Sequence, residues 1–399
     1  MTAPTTSGLR LYDADNHFYE TRDAFTRYID PAFRDRTVRP GVGPDGVERI
    51  MIEDREFTYH PVHWELTPPP GELRDVMRRV SKGEVEGFYD EKAMVPIKPE
   101  FVHRDARIAL MDSQGIEACL MFGSTQPCVE AFMGGDVDLV YASIRAYNRW
   151  LIDDWGFAHQ NRIFSGAMMS LIDLDRAIAE LDWLLDRGVR VLYLRPGPQG
   201  HRSPADPHFD PFWARVQEAG LLVGFHSSES SYNELFSVYW GENPHPSSHT
   251  QSAFQWVNFF GDRPIMDTLS ALVLHNLFGR FPGIRVATVE NGSLWVPYLL
   301  KVMDKMKGMG RGGPWLGGKV AGRPSEIFTE HVYVSPFHEE DVKALIGVLG
   351  HERVLFGSDF PHAEGLGEPS EFSRALDGLP REQVEAVMGG NLRGLLGVA

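Results

Sequence analysis

Four mostly apolar runs in this 399-residue chain lead directly into side chains able to bind a metal, and then into turn-forming residues. They read LRLYDADNHFYE (9–20), LLVGFHSSES (221–230), IRVATVENGS (284–293) and RVLFGSDFPHAEG (353–365). A short run of Val, Leu, Ile or Phe that stops at Ser, Asn, Gly or Pro is how a parallel strand ends in a functional loop. An acid or imidazole placed there is shielded on its strand side and free to point into a shared mouth. Asp15, His17, Glu20, His226, Glu290, Asp359 and His362 occupy such positions. Gathered together, they would make a metal site.

The remainder of the chain repeats the same unit. Candidate strands are 9–14, 117–122, 163–168, 189–194, 221–225, 284–289, 331–335 and 353–357, and stretches of helical period separate most of them. Two of those stretches, 175–189 and 210–221, start at an Asp as N-cap and stop at Gly188 and Gly220. Alternation of strand and helix eight times predicts an α/β fold, a (β/α)8 TIM barrel forming one domain over 1–399, with its chemistry at the C-terminal ends of the strands. The polar residues expected there are Asp15, Ser124, Arg195, His226, Glu290, Ser335 and Asp359.

Three segments fall outside the repeat and are expected as insertions capping the C-terminal face. Residues 38–100 contain a hairpin pattern, VERIMIEDREFTY (47–59), with its turn near Glu53 to Arg55, and then a Pro-rich stretch at 67–70. Residues 237–264 carry Trp240, His245, His249, Trp256, Phe259 and Phe260. With Trp64, Phe88 and Tyr89, these aromatics are expected to line a pocket for a large apolar small-molecule substrate. Residues 307–323 are Gly-rich and basic, which reads as a solvated loop in preference to an anion cradle.

Composition narrows the function classes. A formal charge of −16 argues against unspecific attraction to nucleic acid or to an anionic membrane. Only two cysteines are present, so a disulfide framework is not expected. The first ten residues lack a signal-peptide pattern, and no run approaches roughly 18 apolar residues. The expectation is a cytoplasmic enzyme. There is no GxxxxGK[ST] run, and the serines after His226 lack the GxSxG elbow of a nucleophilic hydrolase.

Beyond the four runs, RDARIALMDSQGIEACLMF (104–122) and NLFGRFPGIRVATVENGSLWVPYLL (276–300) complete a set of blocks that resembles the amidohydrolase-related (amidohydrolase 2) barrels from about residue 9 to 395. The likeness is to the branch containing aromatic-acid decarboxylases. It implies two ligands from the first strand, here Asp15 and His17, with His226 from the fifth strand and Asp359 from the eighth. At the sixth strand, where relatives commonly carry a histidine, this chain has Glu290. That exchange removes a proton donor and adds an anionic oxygen ligand. With Glu20 and His362 the set reaches three histidines and four carboxylates, a charge better balanced by two divalent ions than by one.

The ligand types suit iron or manganese and are compatible with zinc. A carboxylate-rich site of this kind is similar to a small branch of nonheme diiron monooxygenases from bacterial terpenoid biosynthesis. That resemblance implies two Fe ions, O2 as co-substrate, an external electron donor, and hydroxylation of an unactivated C–H bond in a bulky lipophilic substrate, which would be CoA-linked if the basic loop 307–323 served as an anion cradle. Asp359, Glu290 and His226 would then be the catalytic residues. The alternative is a mononuclear Zn or Mn hydrolase or decarboxylase for a small carboxylic acid, with Asp359 as base. The resemblance also implies a homodimer.

Blander roles remain open for several residues. Glu20 could cap a helix near Arg22 to Tyr28, His362 could support a ligand from behind, Glu290 could pair with Arg195, and His103 could be a surface residue.

Overall fold

The structure, a computed structural model, describes residues 8–43, 46, 48–57, 64–87, 89–246 and 251–398. It opens with β1 (Leu11–Phe18), every residue of which is buried. Burial of both faces is the signature of a parallel strand covered by helices on either side.

The first expected insertion folds into two small antiparallel sheets. β2 (Arg39–Val42), β3 (Glu48–Ile52) and β4 (Arg55–Glu56) form one of them. The β3–β4 hairpin turns at Glu53, whose φ of 53° is left-handed, so the predicted hairpin is present. Val47, Thr58 and Tyr59 of that prediction lie outside the described residues, as do Phe88 and His249. β5 (Leu66–Thr67) and β6 (Val95–Pro96) form the second sheet, with the helix Leu73–Ser81 between them in sequence.

Then follow β7 (Ile116–Gly123), β8 (Ile163–Met168), β9 (Val191–Leu194), β10 (Leu222–His226), β11 (Arg285–Val289) and β12 (Val332–Val334). With β1 they make a seven-stranded parallel sheet in the order β1-β7-β8-β9-β10-β11-β12. Each strand lies beside its predecessor in the sheet, and helices fill most of the connections, an arrangement that fits a TIM-type barrel.

The eighth predicted strand, 353–357, does not form a regular strand. Residues 354–360 nevertheless bond to both edges of the sheet. Leu355 N donates to Val334 O at 2.9 Å, Asp359 N to Asp15 O at 2.8 Å, and this segment accepts from Ala14 N and His17 N. Regular pleating fails because Asp359 sits at φ 55° and the Ser358 amide is diverted to the Asp13 side chain.

Other boundaries shift modestly. The helix expected to start at Asp175 spans Leu174–Leu185, capped instead by Asp173, whose carboxylate accepts from Arg176 N. The helix Asp210–Glu218 has no side-chain cap, while Asp206 caps the short turn Pro207–Phe209 before it. One buried apolar cluster extends from Leu11 to Leu396 and takes in both sides of the sheet. Among the described residues, no helix is long and apolar enough to cross a membrane.

Candidate metal centre

The geometry of the site starts from a kink in β1. Its register against β7 shifts between Asp13 and Asn16, a bulge that re-aims the side chains at the strand end. Asp13 fixes that kink from inside: its carboxylate accepts from Ser358 N at 2.9 Å, Ser358 Oγ at 2.5 Å, Asn16 Nδ2 at 3.0 Å and Asp15 N at 3.1 Å. Burial pushes the Asp13 carboxyl up to about 7 despite those donors. Arg107, fully buried on the helix Arg104–Gln114, completes the support by donating to Asn16 Oδ1, to His17 O at 2.7 Å and to Glu100 O at 2.7 Å.

Six of the seven candidate ligands converge above this base. Asp15, His17, His226 and Glu290 offer ligand atoms all within 4.8 Å of one another, and so do His17, Glu290, Asp359 and His362. His17 Nε2 lies 3.2 Å from Asp15 Oδ1, 3.2 Å from His226 Nε2 and 3.3 Å from Asp359 Oδ1. His226 Nε2 lies 3.2 Å from Glu290 Oε2. His226 Nδ1 donates to Ser227 O at 2.8 Å, which leaves the Nε2 lone pair aimed into the cluster. Two facing imidazole nitrogens among three carboxylates, with His17 Nδ1 buried and unpartnered, form a donor set that fits a divalent cation.

The electrostatics agree with a site built for positive charge. Burial and the neighbouring His362 hold His17 down to about 3, so its imidazole is neutral, the form in which it can offer a lone pair to a cation. Burial raises the Asp15 carboxyl, but hydrogen bonds from His17 and His226 outweigh it and leave that acid below its ordinary range. Glu290 and Asp359 are driven well above theirs, by burial first, then by Asp359 in the one case and Asp15 in the other. Burial lowers His226, yet Glu290 and Asp15 beside it raise it overall. Glu290 (φ 53°) and Asp359 (φ 55°) both sit on left-handed backbone, a strain of about 1 kcal/mol each for residues with a Cβ.

Glu20 is not brought into either group. Its carboxylate accepts from Gln126 N at 2.8 Å and Thr125 N at 3.1 Å, at the start of the helix Gln126–Phe132. The capping role foreseen for it is therefore real, but for a helix far along the chain and not for one near Arg22. Gly123 makes the approach possible, since a Cβ there would stand 2.2 Å from Glu20 Oε1. Arg195 pairs with Glu130 at 3.2 Å, not with Glu290. His103 is exposed at a junction between helices, away from the cluster.

Ser124 was expected at the site only as a strand-end residue. Its Oγ lies 2.8 Å from His362 Nε2, while His362 Nδ1 faces Asp359 Oδ1 at 2.7 Å. Asp13 and Arg107 were not singled out from the sequence. Asp13 alternates with Asp15 in DAD, and Arg107 interrupts an apolar helix face, so both signals were present.

The cluster opens into a cavity of about 330 Å3 whose apolar wall includes Phe25, Val38, Ile50, Trp64, Trp256 and Phe260. Residues of the segments 38–100 and 237–264 thus line it, as expected from their aromatic content.

With fold and site in view, the chain belongs to the amidohydrolase family: the family profile described as Amidohydrolase matches residues 96–398. No curated protein matches it. Among solved structures, an amidohydrolase from Mycobacterium avium subsp. paratuberculosis K-10 is 33% identical, with 98% of this chain and 100% of that one covered and a TM-score of 0.85. Metarhizium anisopliae IDCase in its apo form is 18% identical, covering 98% of each chain at a TM-score of 0.63. Dihydroxybenzoic acid decarboxylase from Polaromonas sp. JS666, with bound manganese and the inhibitor 2-nitroresorcinol, is 15% identical, covering 98% and 97% at a TM-score of 0.62.

Proposed function

We propose that residues 354–360 serve as the eighth strand of a (β/α)8 barrel, that 38–100 and 237–264 cap its C-terminal face, and that the barrel is a metal-dependent enzyme for a carboxylic acid with a bulky apolar body. Decarboxylation or hydrolysis at one manganese or zinc ion is the leading reading. The observation that carries it is the convergence of Asp15, His226 and Asp359 on His17 Nε2, at 3.2, 3.2 and 3.3 Å, with Glu290 beside them at the end of an apolar cavity. Manganese-holding decarboxylases among the structural neighbours support the choice of chemistry.

Asp15, His17, His226 and Asp359 would hold the ion, which supplies Lewis-acid polarisation of a substrate carboxylate or carbonyl. The chain's own part is then binding and proton handling. Apolar walls exclude water and strengthen every charge interaction inside. Burial favours the protonated form of Glu290, which gives it a proton for the carbon that loses CO2. Asp359, anchored on His362, is placed to act as base when water is the second reactant.

A second reading rests on a specific observation. The two four-residue groups share His17 and Glu290. A shared carboxylate suits a pair of ions, the arrangement that a diiron monooxygenase with O2, an external electron donor and a lipophilic substrate would need.

Metal counting on protein purified without added ions, followed by assays with dihydroxybenzoates and 5-carboxyvanillate in air and under argon, separates these readings. One manganese or zinc per chain with oxygen-independent CO2 release supports the first. Two irons with oxygen-dependent turnover support the second. Protein that binds none of these ions overturns both.

A further inference from the structure

Two guanidinium groups line the cavity, and they differ in what neutralises them. Arg22 is paired with Glu48 at 2.5 Å and Glu65 at 3.4 Å, and it lies over the Trp64 ring at 4.9 Å. Arg39, on β2, has a single hydrogen bond among the described residues, from Nη2 to Glu53 O at 2.9 Å. The nearby acids are already engaged: the Glu53 and Asp136 carboxylates both bond Arg36 at 2.7 Å. Arg39 is half-buried, and its Nε and Nη1 carry no hydrogen bond among the described residues.

Water can serve the spare donors of this half-buried guanidinium in the open cavity, but a ligand body packed against Val38 and Ile50 displaces that water, which is costly unless an anion replaces it. Its planar fork matches a carboxylate or phosphate through two parallel bonds. The acids lining the cavity are Glu20, Glu290 and Glu364. None of them lies within ion-pair distance of Arg39, and Glu20 and Glu290 are engaged at the barrel mouth.

We infer that Arg39 is a specificity-determining residue that captures an anionic group of the substrate distinct from the group placed at the metal cluster. This deepens the proposed function and rests on it for the meaning of the cavity. It makes the substrate class an apolar body with negative charge at both ends, a dicarboxylate or an acid bearing a second anionic substituent. Among the described residues no carboxylate lies within ion-pair distance of Arg39, so a neutral apolar tail would displace its water without replacing the lost hydrogen bonds.

The test needs neither metal nor turnover. Binding of decanoate and of decanol to the metal-free full-length protein is measured by calorimetry for the wild type and for Arg39→Gln, Arg39→Lys and Arg22→Gln. Without a cation the acid cluster repels the carboxylate, so decanoate has to place its head at Arg39. The wild type should favour decanoate by about tenfold, Arg39→Gln should bring the two near parity, and Arg22→Gln should keep the preference because Arg22 is already neutralised. Arg39→Lys should retain part of it, which keeps the test valid if the glutamine variant fails to fold. Parity in the wild type, no decanoate binding, or a preference that survives Arg39→Gln overturns the inference. A failure of the metal reading would appear in the metal count and leave these ratios untouched.

Discussion

Arg107 donates from Nη2 to the carbonyl of His17 at 2.7 Å, so a helix that follows β1 by nearly ninety residues of chain fixes the backbone that carries a candidate ligand. The same guanidinium bonds the Asn16 side chain and Glu100 O. Arg107→Met should leave buried acceptors unpaired and cost about 3 to 5 kcal/mol. Denaturant unfolding checks the loss. If Arg107 also positions the ligand strand, the folded fraction of the variant should bind manganese more weakly, by about tenfold or more.

Glu290→Gln separates ligation from structure. Arg195 already has Glu130 at 3.2 Å, so no pair with Arg195 is lost, and the contact to His226 Nε2 at 3.2 Å can be kept by the amide oxygen. Under the one-ion reading metal content should hold while CO2 release falls, because the amide has no acidic proton to give. Under the two-ion reading metal content itself should fall. In both, unfolding stability stays within about 1 kcal/mol of the parent. Unchanged metal content with unchanged turnover would remove Glu290 from both roles.

Glu20→Ala is expected to do the reverse. Two buried amide donors, Thr125 N and Gln126 N, would lose their acceptor, at a cost of about 2 kcal/mol, with metal content preserved. A folded Glu20→Ala protein without metal would restore Glu20 as a ligand.

Glu229 gives a pH signature. Burial pushes its carboxyl up to about 7 from 4.5. The native state therefore holds the proton more tightly than the unfolded chain, and stability should fall as pH rises from about 4.5 to about 7. The penalty is complete above that range. Glu229→Gln can keep accepting from Ser231 N, and should flatten this limb by on the order of 2 kcal/mol in urea titrations across it. A slope identical to the parent's would refute the assignment.

What the sequence made legible was the pattern that burial enforces. Strand ends carrying Asp15, His17, His226, Glu290 and Asp359 could be located because parallel strands read as apolar runs, and the alternation with helices ordered them around a sheet. Contacts set by distant packing were not readable. Glu20 answers amides a hundred residues away, so spacing alone pointed to a nearer helix. Residues 353–357 satisfied strand propensity, but the Asp13 clamp on Ser358 and the turn at Asp359 overrode it. Helix starts slipped where two acids competed for one cap, as Asp173 and Asp175 did.

The left-handed backbone at Glu290 and Asp359 has an outcome for mutational tolerance. At most buried positions, replacements that spare the fold resemble the parent side chain. At these two, glycine or asparagine relieves the local distortion while deleting the acid, so a library selected for soluble expression would enrich variants that have lost both candidate metal-site carboxylates. Sturdiness and catalysis would then pull the same two codons in opposite directions.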